Sequence, residues 1–153
     1  MDYLKDLYHA HVLRVAHINN WFTVPRKEKR PDYRAWLRAE TYLRLDILIS
    51  NLQKTTPPGC QIPEGYDAVR LLVSLHSGLS IVQSHKLSFT ESLHVLLPEL
   101  DAIKISQWTL ELPTCVRNQL FLCQDRKLLS LPRPYRDEWD HTLLARYPGI
   151  PKI

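Results

Sequence analysis

Six cationic side chains fall within thirteen positions: Arg26, Lys27, Lys29, Arg30, Arg34 and Arg38, opposed by Glu28 and Asp32. A guanidinium can hold two phosphate oxygens in a planar fork, and a lysine adds charge without imposing geometry. Arg26, Lys27, Lys29 and Arg30 lie in a loop that runs into a predicted helix, so the helix dipole adds to the same field. Arg34 and Arg38 are four apart, which predicts an exposed basic ridge that extends the patch along the helix. Trp21, Tyr33 and Trp36 are close enough in sequence to offer stacking surface, although a Trp on a bundle helix more often packs in the core. The chemistry implied is recognition of a polyanion by charge.

A second basic zone holds Arg117, Arg126, Lys127, Arg133 and Arg136. Arg126 and Lys127 stand where a helix C-terminus favours cations, a structural role. Arg117 joins the candidate binding residues, and so do Arg133 and Arg136 in "LPRPYRDEW", where prolines favour an extended segment suited to docking. Charge is segregated along the chain: residues 26–38 sum to +4, residues 91–112 to −3 and residues 113–153 to +3.

Other chemistries find less support. A pair of metal-binding histidines on one helix wants spacing of three or four. His9 and His11 are two apart, and His11 and His17 are six apart. His76, His85, His94 and His141 are scattered. Cys115 and Cys123 are eight apart and read as core residues. The three cysteines, an odd number far apart, predict no disulfide framework and a reduced, cytoplasmic protein. No nucleophile elbow, phosphate-binding glycine loop or dinucleotide fingerprint occurs. Glu40 and Asp46 are six apart, and Glu99 and Asp101 diverge. The expectation is therefore a non-catalytic protein with no catalytic residues, metal or cofactor.

The elements that must position the basic residues are helical. Leu4, Leu7, Tyr8, His11, Val12 and Val15 share one face of a helix from Asp2 to about Asn19. Pro31 suits the first turn of a second helix reaching about Lys54, with Trp36, Leu43 and Ile47 on its apolar side. "TTPPGCQIPEG" is a loop. A third helix is expected from about Glu64 to His85, with Gly78 as a weak point inside it. "SFTE" at Ser88–Glu91 matches a capping box that opens a fourth. Pro98 starts a further short helix, and Pro113 opens a last one through Val116, Leu120, Leu122, Cys123 and Leu128. Residues 137–146 have room for one more short helix. No period-two alternation or hairpin signal appears. The expected fold is all-α: a compact bundle of five to six helices over residues 1–130, followed by a proline-rich C-terminal tail over residues 131–153. Trp36, Leu43, Ile47, Val69, Leu72, Leu96 and Leu120 should be buried. No apolar run approaches a membrane span. "MDYLKDLYHA" lacks the apolar core of a signal peptide.

Taken together, "PRKEKRPDYRAWLR", "AETYLRLDILISNL" and "PTCVRNQLFLCQDRK" resemble the small subunit of a CRISPR effector complex of the Cascade type. The resemblance is one of architecture and charge. In some subtypes, type I-D among them, that subunit is made from an internal start within the large-subunit gene. The resemblance implies a subunit without an active site, lined in copies along a guide-RNA complex. It would contact target and displaced DNA strands, or the guide RNA–DNA hybrid, through the backbone. The functional expectation is sequence-independent nucleic-acid binding within a larger assembly. The alternative is a protein-interaction adaptor whose basic patch meets an acidic partner.

Overall fold

The computed structural model describes residues 3–23, 30–61, 63–105, 110–114, 116–118, 134 and 137–147. Among them lie seven helices and no strand: α1 (Tyr3–Asn19), α2 (Tyr33–Thr55), α3 (Gly65–Ser77), α4 (Ile81–His85), α5 (Phe89–Val95), α6 (Leu97–Ala102) and α7 (Leu143–Arg146). The fold is all-α, as the periodicity required.

The chain divides into two units, residues 1–43 with 105–149, and residues 44–104 with 150–153. The boundary falls inside α2, which contributes residues to both.

In the first unit, the apolar face of α1 is the one its spacing dictates. Leu4, Leu7, Tyr8, His11, Val12 and Val15 are all buried. Asn20 ends the helix in the left-handed region at φ 54°, and Trp21 N–H reaches back to the Ala16 carbonyl at 3.0 Å. Asparagine is among the few residues that take this cap conformation at low cost. Trp21, just past the turn, is buried, as are Trp36, Ala39, Tyr42 and Leu43 of α2. Tyr8 Oη donates to the Trp36 carbonyl at 2.8 Å, and the two rings meet edge-on at 5.4 Å.

Residues 137–147, set apart as tail in the sequence reading, belong to this unit. Trp139 and Leu143 are buried, and α7, the short helix expected between residues 137 and 146, packs on α1. Leu110, Leu112 and Val116 complete the core. Thr114 and residues 116–118 are helical, with Arg117 N–H bonded to the Pro113 carbonyl at 3.0 Å. Leu120, Cys115 and Cys123, expected in the core, lie outside the described residues.

The second unit is built on the latter part of α2 and on α3–α6. Ile47, Val69, Leu72 and Leu96 are buried as expected, with Leu93 and Leu100 between them. α3 packs on α4 and α5, and α5 on α6.

Three local expectations need correction. Helix α3 does not run to His85: Gly78, at φ 76°, terminates it. Ser80 then opens α4 with a reciprocated capping box to Gln83. Two orphan N–H groups are satisfied at that break, which outweighs continuing a helix through glycine. Ser88 caps α5 by accepting from Glu91 N–H at 3.1 Å, but only this half of the capping box suggested by "SFTE" forms. Pro31 precedes α2 instead of sitting in its first turn, because Asp32 takes the capping position. Its Oδ1 accepts from Arg34 N–H at 2.9 Å. Pro98 does sit in the first turn of α6.

Candidate nucleic-acid interface

The described residues on either side of the basic stretch are Thr23 and Arg30. The base of the stretch is closed by an isolated antiparallel bridge between Phe22 and Pro31. Thr23 N–H donates to the Arg30 carbonyl at 2.8 Å, and Asp32 N–H to the Trp21 carbonyl at 3.0 Å. The indole of Trp36 donates to the Pro31 carbonyl at 3.2 Å. Each strand of this stem is therefore anchored, one through the cap of α1 and the other through the cap of α2. Arg26, Lys27 and Lys29 lie between these anchors and outside the described residues. Arg30 is exposed.

Arg34 is half-exposed and is not a lone cation. Its Nη2 pairs with Asp32 Oδ2 at 2.7 Å. Its guanidinium lies 5.0 Å from the centre of the Trp21 ring. The hydrogen bond to Asp32 raises the Arg34 pKa above its ordinary value, against a smaller opposing effect of burial. Asp32 thus caps the helix, holds the stem and neutralises Arg34.

Arg38 overturns the expectation of an exposed ridge. It is 0% exposed. Its Nη1 donates to Glu138 Oε1 at 2.6 Å, and both side chains are fully buried. Tyr42 Oη donates to the same oxygen at 2.8 Å, and Asn19 Nδ2 donates to Oε2 at 3.1 Å. Burial pushes the Tyr42 phenol well above its ordinary pKa, and the charge of Glu138 pushes in the same direction. The Arg38 guanidinium also faces Trp21, 5.6 Å from the ring centre. A cation so enclosed cannot meet a phosphate while the core is intact. Spacing of four from Arg34 put the two residues on neighbouring surface, but Glu138 covers one of them. Replacing Arg38 with Ala is accordingly a folding perturbation, where the sequence reading expected a surface change.

Of the second basic zone, Arg117 is half-buried and its Nη2 donates to Thr114 Oγ1 at 3.2 Å. Arg133 and Arg136 lie outside the described residues. Sequence reasoning missed Glu138 as the partner of Arg38, and Tyr42 and Asn19 as further donors to Glu138. It also missed Arg14, whose Nε and Nη2 donate to the Asp137 carbonyl at 2.9 and 2.6 Å. None carries a local signal, since the bonding partners are 96 to 123 residues apart.

Arg44 of α2 is half-buried. It donates to the Leu100 carbonyl at 2.9 Å and to the Ile103 carbonyl, at the C-terminal end of α6. Among the described residues, no three His, Cys, Asp or Glu side chains gather where they could share a metal ion. No described helix is long and apolar enough to cross a membrane. Comparison with protein-family models, with curated proteins and with solved structures finds no match to the chain.

Proposed function

We propose that the loop between Thr23 and Arg30 binds the phosphate backbone of nucleic acid without regard to base sequence. Arg26, Lys27, Lys29 and Arg30 are the contacting residues. The observation that carries this reading is the anchored stem: Thr23 and Arg30 are joined at 2.8 Å. Four cations and one acid therefore fall within a loop and its closing residue, a net charge of +3 against +4 for the whole chain. The cations that follow in sequence are neutralised, Arg34 by Asp32 and Arg38 by Glu138. Positive field is thereby concentrated on residues 26–30.

Fixing both ends of the loop lowers the ordering cost of binding. Contacts to phosphate fix position without reading bases, so unrelated sequences should bind alike. Assembly into an RNA-guided complex with further copies of the chain, the role implied by likeness to Cascade small subunits, is a further step that this reading does not require.

The test is affinity for random-sequence single-stranded DNA and RNA across a salt series. Each phosphate contact on a single strand contributes a log–log slope of about −0.7. Replacing Arg26, Lys27 and Lys29 together by Ala should therefore flatten the slope by about 2 and weaken unrelated sequences equally. An unchanged slope in a folded variant would refute the reading and favour an acidic protein as the partner of the loop.

A further inference from the structure

The aromatic residues near the basic stretch divide into two groups. Trp21 and Trp36 are buried. Phe22 is half-buried and His17 of α1 is exposed, and their rings meet edge-on at 5.2 Å. Successive residues of an extended segment point to opposite faces, so Trp21 enters the core and Phe22 faces away from it. The bridge adds a neighbour. The bonds from Thr23 N–H to the Arg30 carbonyl and from Asp32 N–H to the Trp21 carbonyl flank Phe22 and Pro31, which makes these two a non-hydrogen-bonded pair. Side chains approach closest across such a pair, and it asks no N–H of Pro31. His17, Phe22 and half-buried Pro31 therefore form a patch of three rings. Leu13, one turn before His17 on the same ridge of α1 and 51% exposed, extends it.

The charge beside the patch says what it meets. Exposed Arg30 is the chain neighbour of Pro31, and Thr23, the neighbour of Phe22, leads into the stretch that carries Arg26, Lys27 and Lys29. An acidic protein would use the cations and leave the rings idle. So would a duplex, whose bases are paired and stacked inside. A single strand presents phosphates and open base faces together, and cations beside aromatic rings match both.

We propose that Phe22 and His17 receive unpaired bases, so that the basic stretch takes single-stranded nucleic acid in preference to duplex. The inference rests on phosphate binding by residues 26–30. It opposes what charge alone would do. A duplex carries one charge per ~1.7 Å of axis and a single strand in that geometry one per ~3.4 Å, so contact by charge alone favours the duplex. Stacking tolerates any sequence, because every base has a π-face, and it therefore agrees with binding that ignores base identity.

Fluorescence anisotropy on the 153-residue chain tests this with three probes of equal length: a mixed-sequence DNA single strand, its duplex and an abasic single strand. At one salt concentration the natural strand should bind about tenfold more tightly than the abasic strand, and more tightly than the duplex. Phe22→Leu keeps an apolar side chain in the bridge and removes the aromatic face. His17→Ala lies at an exposed helical position, where alanine favours the fold. Circular dichroism should match wild type for both, and His17→Ala decides alone if Phe22→Leu does not fold. Each should lower single-strand affinity several-fold and narrow the gap to the duplex. Equal binding of natural and abasic strands, with a salt slope that still depends on Arg26, Lys27 and Lys29, would overturn stacking and leave phosphate binding standing. So would tighter binding of the duplex, or an equal loss on all three probes in the folded variants, which would give the rings a structural role. Binding without salt dependence, or none at all, would refute the reading of the basic stretch and this inference with it.

Discussion

Replacing Glu138 with Gln should destabilise the protein by about 3–5 kcal/mol, the cost of breaking a buried ion pair from one side. The side chain is 0% exposed and receives three hydrogen bonds. Gln keeps the volume but removes the charge that offsets Arg38. It also turns one acceptor into a donor. Whichever way the amide faces, its NH₂ opposes either Asn19 Nδ2 or the pair formed by Arg38 and Tyr42, so at least one partner loses its bond. For a chain of this length, 1 kcal/mol moves the melting temperature by about 2–4 °C, so a fall of roughly 6–20 °C is expected. The assay is thermal and urea unfolding of wild type, Glu138→Gln, Arg38→Met and the double variant Arg38→Met/Glu138→Leu. Each single variant leaves a buried polar or charged group without its counterpart. The double variant removes both charges and should recover most of the loss, because apolar isosteres often replace a buried pair at little cost. Adding the single variant Glu138→Leu closes the cycle, and the resulting coupling energy measures the pair directly. A Glu138→Gln variant within about 1 kcal/mol of wild type is what an exposed pair would give, and it would refute the docking of residues 137–147 described above.

Two further outcomes follow from local geometry. Gly78→Ala should cost roughly 1–2 kcal/mol through backbone strain alone, since φ is 76° and an added Cβ would meet nothing within 4 Å; a neutral result in urea unfolding would place the end of α3 elsewhere. Tyr42 has its pKa raised by burial and by Glu138, so its contribution is fully present below the ordinary tyrosine value of about 10 and is lost as pH rises towards the raised native value. Wild type should therefore lose stability above that pH more steeply than Tyr42→Phe, and equal slopes in alkaline unfolding curves would contradict the buried phenol.

Features that depend on local spacing were legible in the sequence. The face of α1 from Leu4 to Val15, the burial of Leu43, Ile47, Val69 and Leu72, the cap at Ser88 and the place of Pro98 all follow from a 3.6-residue period and from capping chemistry. The break after α3 was also written locally, as Ser80 followed by Gln83 three residues later. Its apolar continuation through Ile81 and Val82 resembled more of the same helix, yet both residues are exposed. Arg38 was not legible in principle. Whether a helical arginine is surface or core depends on a counter-charge, and its partner stands 100 residues away in "PRPYRDEWDH", a stretch whose prolines and charges suggest solvent. Spacing reports which residues share a face, but not what covers that face.

The burial of Arg38 changes what the basic run means. Six cations in thirteen positions suggest one continuous surface, yet two of them serve the fold. Arg34 and Asp32 tie the cap of α2 to the Trp21 ring, and Arg38 and Glu138 tie α2 to residues 137–147. Both ion pairs converge on Trp21, whose carbonyl closes the stem of the loop. The second half of the run therefore braces the stem at Trp21 and Asp32. An arginine is suited to that task because its planar group can pair with a carboxylate while lying on an aromatic face, which a lysine cannot do equally well. The composition of the run agrees with this division. Both lysines fall between Thr23 and Arg30, where the proposed contact with phosphate asks for charge and not for fixed geometry. The two helical positions, where geometry decides, are both arginine.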